Sequence, residues 1–379
     1  MDWSFDLPTG RLQLQLQEAK LPFEDLLSIG ARQNPKRAFL FVSKVLGKHI
    51  PVKPAMMRHC HQLLAQQLPA FDAPSLFIGM AETATGLGQG VFEAHVQQQP
   101  HSQAQYIHSS RVRVHDTDAV VFEESHSHAT RVWLHLPTDE ATKTHWQQAQ
   151  NLVLIDDELS TGNTFCNLLQ QCLQLAPNVK QVYWVSVADF MGSRRDELIA
   201  ASELPLQCIS LLQGQWQFES NGVIAAATQA SQSHVGAEPY VQDAGFGRLG
   251  VAAPIQLNDT LQAQLPKNLK AHDKVLVLGC GEFMHAALLV AEYLQEHYQV
   301  ECKVQSTTRS PILQWGAIET ITTAGDPYDE GVPYFVYNVV RSDYDHILIC
   351  HEYEASTALQ QTAYDLQADL ISLTKEHHA

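Results

Sequence analysis

VLIDDELSTGNT (residues 153–164) sets two aspartates and a run of small hydroxyl residues directly behind the apolar run Leu152–Ile155. An unbroken apolar run of that kind suits a central parallel strand covered on both faces. Behind it, FCNLLQQCLQLA carries apolar residues at 165, 168, 169, 172, 173 and 175, the spacing of one helix face. The acidic pair and the loop therefore join the carboxyl end of a strand to the amino end of a helix. In open α/β sheets ligands bind at that point, and free N–H groups with the helix dipole favour a phosphate. Ser160, Thr161 and Thr164 offer hydroxyls, Gly162 permits close backbone approach, and Asn163 tolerates turn geometry. Asp156 and Asp157 fit beside a phosphate only if they face hydroxyls or a metal. A sugar phosphate meets both needs in one molecule; the alternative is a solvent-facing acidic turn capping the helix through Ser160.

The stretch resembles the phosphoribosyl-pyrophosphate (PRPP) motif of type I phosphoribosyltransferases. That resemblance implies that Asp156 and Asp157 hold the ribose hydroxyls and that Ser160, Thr161, Gly162, Asn163 and Thr164 hold the 5′-phosphate. It also implies Mg²⁺ as cofactor, carried by PRPP near Asp156 and Asp157 rather than by a direct protein cage. Glu158 departs from the family, which more often has an apolar residue there.

Such an enzyme needs an earlier pyrophosphate loop, and SLFIGMAETATG (75–86) offers strand and turn, with Ala81, Glu82, Thr83 and Ala84 at its bend. Glu82 is unexpected, because a carboxylate repels a diphosphate unless Mg²⁺ lies between them. A dinucleotide reading of GLGQG fails on the GxGxxG spacing. Between Arg32 and Arg58 stand seven Lys or Arg residues and no Asp or Glu, in a chain of net charge −17. From this island Lys44, Lys48 and His49 are expected to close over the pyrophosphate, with Arg32 and Arg37 as weaker candidates, unless the island is only a solvated face.

Further along, FEESHSHAT (122–130) is too polar for core and is read as a mobile loop over the site. His108, His126 and His128 with Glu123 and Glu124 form only a weak metal signal, and loop or acceptor contact is the stronger reading. VYWVSVADF ends in Asp189 and Phe190, where the resemblance puts the acceptor; Phe190 as core is the alternative. Arg111, Glu82 and Glu158 are candidates for acceptor activation or loop contacts.

A second α/β pattern begins at KVLVLGCGEFMHAALL. Gly79-x-x-Glu82 is echoed by Gly279-x-x-Glu282, and Ser109-Ser110-Arg111 by Thr307-Thr308-Arg309. Cys350-His351-Glu352 then stands opposite Asp156-Asp157-Glu158. A methyltransferase first motif is the alternative reading of LGCGEFM, disfavoured because Met284 stands where the third glycine is expected. STTRSPI behind a DDELSTG domain is similar to the TRSP-domain proteins of tellurium-resistance and stress-response gene clusters. His108, Asp189, Phe190, Glu282, Thr307, Thr308 and Arg309 are accordingly held as an acceptor site or a second site.

The expected fold is α/β with two doubly wound parallel-sheet domains, the second a degenerate copy of the first. Residues 1–205 form the phosphoribosyltransferase domain, 206–250 a connecting segment and 251–379 the TRSP-like domain. Length (379 residues) and 45% hydrophobic content suit two cores of ordinary size. The acidic charge argues against nucleic acid or a membrane surface as partner, and seven scattered cysteines argue against a disulfide framework. The resemblance implies a cytoplasmic Mg²⁺-dependent phosphoribosyltransferase that displaces pyrophosphate from PRPP with an unidentified small-molecule, base-like acceptor, making a nucleoside-like product. A PRPP-binding regulatory protein without catalysis is the alternative; a homodimer is left open.

Overall fold

The computed structural model describes residues 2–32, 34, 37–123, 131–222, 240–328, 331–352 and 354–373. The first half contains strands β1 (Asp2–Leu7), β2 (Gly10–Ala19), β3 (Leu27–Ala31), β4 (Phe39–Ser43), β5 (Ser75–Gly79), β6 (Ala104–His108), β7 (Arg113–Val114), β8 (Ala119–Glu123), β9 (Arg131–His135), β10 (Asn151–Leu159), β11 (Gln181–Asp189) and β12 (Leu206–Ser220). Its helices are α1 (Phe23–Leu26), α2 (Pro54–Ala65), α3 (Ala84–Gln98), α4 (Glu140–Gln148), α5 (Asn163–Leu175) and α6 (Ser193–Ala201). The second half adds β13 (Tyr240–Val241), β14 (Lys274–Gly279), β15 (Glu301–Ser306), β16 (Ile321–Ala324), β17 (Tyr334–Tyr337), β18 (His346–His351) and β19 (Asp369–Ser372), with α7 (Asp259–Gln262), α8 (Met284–Tyr298) and α9 (Thr357–Leu366). No helix among the described residues is long and apolar enough to cross a membrane.

The run at 152–155 is fully buried at the centre of a seven-stranded sheet ordered β1-β2-β12-β11-β10-β5-β6. Strands β12 to β6 run parallel, and the N-terminal hairpin closes one edge antiparallel. Two sequence expectations need correction. β10 does not stop at Ile155 but continues through the acidic pair to Leu159, because Asp156, Glu158 and Leu159 still pair with Ser186, Ala188 and Asp189 of β11. Residues 206–220, expected as connector, form β12, which pairs with β11 and then with β2 across a bulge at Gln213/Gly214.

The second sheet is wholly parallel and ordered β15-β14-β18-β19, matching β6-β5-β10-β11 strand for strand. The match extends to single bonds. Ser109 N donates to Gly79 O at 2.9 Å, as Thr307 N does to Gly279 O at 2.9 Å. Ala81 N donates to Ser109 Oγ, as Gly281 N does to Thr307 Oγ1. The fold is therefore present twice. Gly79 faces Ile155, and Gly279 faces Cys350, which corrects the sequence matching by one residue: His351 and Glu352 stand where Asp156 and Asp157 stand. The second half thus keeps one carboxylate of the pair. The strand-to-helix loop is one residue shorter there, so matching on the helix start moved the register.

The two halves exchange arms. Val52 makes both backbone bonds to Val304 of β15, and Val251 makes both to Tyr106 of β6. Just before each, Gly47 O accepts from Ser306 N and Gly247 O from His108 N. The helices meet as well: Arg58 of α2 donates to Glu292 of α8 through Nε and Nη2 at 2.7 Å and to Glu93 of α3 through Nη1 at 2.6 Å. The other Glu93 oxygen lies 2.8 Å from His285 Nε2.

GLGQG lies inside α3, where its glycines admit three different neighbours. A Cβ on Gly86 would lie 3.1 Å from Met284 Sδ, one on Gly88 2.8 Å from the Cα of Gly79, and one on Gly90 2.0 Å from His61 Nδ1. For Gly88→Ala the clash is with backbone, so overpacking at about 1–3 kcal/mol outweighs the roughly 1 kcal/mol gained in helix propensity. Urea unfolding is expected to show a net loss. A gain in stability would mean that the strand and helix are less closely packed.

Burial alone would raise the Glu93 pKa, but His285 and Arg58 hold it down at about 2. Its contribution is complete above the unfolded value near 4.5 and is lost as pH falls through about 2, a span worth about 3 kcal/mol. Glu93→Gln is therefore expected to flatten the stability profile between pH 4.5 and 2. Parallel wild-type and variant melts over that window would contradict the assignment.

Candidate active site

At the carboxyl end of β10, Asp156 and Asp157 are half-buried, and Asp157 N donates to Asp156 Oδ1 at 2.9 Å. Gly162 (φ 74°) turns the chain into α5 as its N-cap residue and brings no side chain to the first N–H groups of the helix. A Cβ there would lie 2.6 Å from Leu198 Cδ1, a side-chain end that can shift, so it is the left-handed conformation that favours glycine. Ser160, Thr161 and Asn163 border this turn, with Asn163 N reaching Thr161 Oγ1 at 3.3 Å and Thr164 following in the first turn of α5.

The residues beside this loop have other tasks. Glu158 pairs with Arg37 at 2.9 Å, and the Arg37 guanidinium lies over the Phe39 ring, 4.6 Å from its centroid. Asp189 is buried and accepts from Met191 N at 3.0 Å, with Arg195 Nη1 3.4 Å away; burial raises its pKa. Phe190 packs on Phe41 with ring centroids 4.4 Å apart. Asp189 thus supports a turn, and Phe190 sits in the core, the alternative stated for it above.

The turn after β5 holds the Glu82 carboxylate, and the Ala81–Glu82 peptide is cis. Thr83 precedes α3, which starts at Ala84. Two cations meet Glu82. Lys48 Nζ bonds Oε1 and also reaches Gly281 O at 3.2 Å and Thr307 O at 3.3 Å; Arg309 Nε lies 3.5 Å from Oε2. Burial pushes the Glu82 pKa up, but Lys48 and Arg309 outweigh it and hold the carboxyl below its usual value. The carboxylate on this turn is explained by these partners.

The rest of the basic island divides. Lys44 Nζ donates to Glu24 O at 2.7 Å, away from the turn, and Arg32 Nε donates to Arg37 O. His49 is buried against Tyr337 of the second half, and desolvation with Lys48 nearby drives its pKa down to about 3. A neutral, buried ring is no anion clamp, so the pyrophosphate role expected of Lys44 and His49 is not supported by their positions. His126, His128 and Glu124 lie outside the described residues; Glu123 ends β8. Among the described residues no group of three or more His, Cys, Asp or Glu side chains could hold a metal.

The corresponding place in the second half is built differently. Glu282 accepts from Arg111 N at 3.0 Å, and its Oε2 lies 3.4 Å from Arg248 Nε and 3.8 Å from His108 Nδ1. Arg248 forks onto Glu352, and Tyr328 donates to the same carboxylate at 2.6 Å. Burial lowers the His108 pKa, which leaves the ring neutral in this cluster. Helix α9 is capped from within: Ser356 Oγ accepts from Leu359 N at 3.0 Å and donates to Asp326 O at 2.7 Å. Gly325 presses on this helix so tightly that a Cβ would lie 2.0 Å from Ala358 O.

Thr307 Oγ1 accepts from Gly281 N of the turn after β14, Thr308 Oγ1 accepts from Ser310 N of its own turn, and Arg309 crosses to Glu82 of the first half. Sequence reading missed Arg248 and Tyr328. A signal for Arg248 did exist: Gly247-Arg248 repeats Gly47-Lys48 at the same spacing that separates Gly79 from Gly279.

Residues 26–215 match the family model described as phosphoribosyl transferase, and residues 246–367 match the TRSP domain found C-terminal to it. Among solved structures, adenine phosphoribosyltransferase from Rhodothermus marinus is 13% identical with a TM-score of 0.32, over 50% of this chain and 96% of that one. APRTase from Giardia lamblia, complexed with 9-deazaadenine, is 12% identical with a TM-score of 0.32, over 51% and 98%. Adenine phosphoribosyl transferase from Trypanosoma brucei is 11% identical with a TM-score of 0.36, over 52% and 82%. No curated protein matches the sequence. The fold assignment rests on the family match and on the strand order.

Arg248→Met leaves Glu282 and Glu352 buried without their shared cation, and breaking a buried pair in this way costs about 3–5 kcal/mol. Chemical denaturation is expected to show that loss, with partial recovery in Arg248→Met/Glu352→Leu. Wild-type stability in the single variant would remove Arg248 from the interface.

Proposed function

Because this chain belongs to the phosphoribosyl transferase family, with residues 26–215 its transferase domain and a TRSP domain behind it, we propose that it uses PRPP and Mg²⁺ to ribosylate a small, base-like acceptor. One observation carries this reading: the same strand-loop-helix occurs twice, and the half that has two half-buried carboxylates also has a helix whose N-cap residue is a glycine with no side chain to cap it. The first turn and dipole of α5 suit a 5′-phosphate, and Asp156 and Asp157 suit the ribose hydroxyls beside it. Ser160, Thr161 and Thr164 add hydroxyl donors on either side of Gly162.

In the reaction the acceptor nitrogen attacks C1 of the ribose, the C1–O bond to diphosphate breaks, and the diphosphate leaves with the bonding electrons. The acceptor loses its proton. No protein nucleophile is needed; the residues bind, orient and exclude water around an oxocarbenium-like centre. Carboxylate oxygens at Asp156 and Asp157 are hard donors of the kind Mg²⁺ accepts alongside substrate phosphates, and the ion supplies charge neutralisation to the leaving diphosphate. Seven free cysteines suit a reducing, cytoplasmic setting. The product in this reading is a ribosylated, nucleoside-like metabolite of a stress response.

Calorimetry with PRPP and Mg²⁺ tests the binding claim. Asp156→Asn/Asp157→Asn removes charge-assisted contacts worth about 1.5–3 kcal/mol each, so PRPP affinity is expected to drop at least about tenfold. Pyrophosphate release with candidate bases should disappear with it. Unchanged PRPP affinity in the double variant would sink the assignment of the site.

A further inference from the structure

We propose that the TRSP half is a built-in partner subunit: the face it covers on the first half is a two-fold dimer interface, closed inside one chain and specific for the unlike half. This goes beyond the PRPP reading and does not depend on it.

Contacts between the halves come in reciprocal pairs. Val52 exchanges both backbone bonds with Val304 of β15, and Val251 exchanges both with Tyr106 of β6, the strand that β15 repeats. Gly47 O accepts from Ser306 N, and Gly247 O accepts from His108 N. Both glycines have positive φ, 67° and 107°, and both press on the opposite half. A Cβ on Gly47 would lie 2.8 Å from Val304 O, and one on Gly247 2.9 Å from the Tyr106 ring. The turn glutamates cross in the same manner, Glu82 to Arg309 Nε at 3.5 Å behind β15 and Glu282 to Arg111 N at 3.0 Å behind β6. When one segment's contact with another is matched by the converse contact, the interface is isologous, the kind that two copies of one subunit make about a two-fold axis. Such an interface closes on itself. Once the halves have met within a chain, neither keeps that face for a second chain.

The charged contacts break this symmetry. Arg58 of α2 reaches Glu292 of α8 through two nitrogens at 2.7 Å, and Glu93 of α3 lies 2.8 Å from His285 of α8. Residues 249–266 follow the second arm as α2 follows the first, and they contain no Lys, Arg or His. A pair of second halves would therefore offer Glu292 no counterpart of Arg58. Thr85 stands in the first half where His285 stands in the second, so a pair of first halves would deprive the buried Glu93 of its imidazole. The backbone suits like and unlike pairs equally, and the side chains penalise the like ones.

Cleavage of the full chain at a protease site introduced between residues 222 and 240, followed by sedimentation velocity, tests the proposal. The pieces are expected to stay together, one of each, as a particle with the mass of the uncut chain. Glu292→Gln weakens a two-pronged charged contact, and the cut variant is expected to dissociate about ten- to a hundredfold more readily on dilution, with Glu292→Asp in between. A thermal melt of the uncut variants checks that each folds, and if Glu292→Gln does not, Glu292→Asp decides by the same measure. Pieces that part as separately folded particles, or that re-sort into pairs of like halves, overturn the proposal. Equal dissociation of wild type and Glu292→Gln overturns it as well. A cut chain that runs at twice the expected mass and falls to it in Glu292→Gln places the face between chains, which also overturns it.

Discussion

Two carboxylates, the half-buried Glu82 and the buried Glu282, govern the centre of this molecule. Each stands on the turn after a central strand, where an unpaired charge would cost several kcal/mol. Each is met by a cation on an arm laid over the opposite half: Lys48 beside the strand pairing of Val52 with Val304, Arg248 beside that of Val251 with Tyr106. Neither half satisfies its own turn from its own sheet. The exchange of arms follows from that constraint, and with the Arg58–Glu93–His285 contacts it fixes how the halves sit together.

The same architecture has then been used for opposite ends. In front of α5 the chain places Gly162, which has no side chain to cap the helix, and two carboxylates; in front of α9 it supplies Ser356 as cap and packs Gly325 and Asp326 against it. The retained Glu352 is consumed by Arg248 and Tyr328. The two helix starts thus differ in capping without any change in strand order.

Much of this was legible in the residues. The apolar run before Asp156 and Asp157, the helical spacing after them and the echo of Gly79-x-x-Glu82 in Gly279-x-x-Glu282 follow from local periodicity and turn chemistry, which act over a few residues. The fates of Lys44, His49, Asp189 and Phe190 did not follow. A lysine at the end of a strand or an aromatic after one reads the same whether it faces ligand or core, because the side chain's neighbours come from distant segments. His49 meets Tyr337 and Phe190 meets Phe41, contacts that no local pattern encodes.

By itself the sequence determined the fold class, the duplication and the strand-loop-helix that presents Asp156, Asp157 and Gly162. These depend on hydrophobic alternation and on which residues tolerate a tight turn. Tertiary structure alone decided the register of the second copy, the exchange of arms and the pairing of Arg309 with Glu82. Those depend on the cost of burying charge, and that cost is settled only when segments far apart in the chain are brought within a few ångströms.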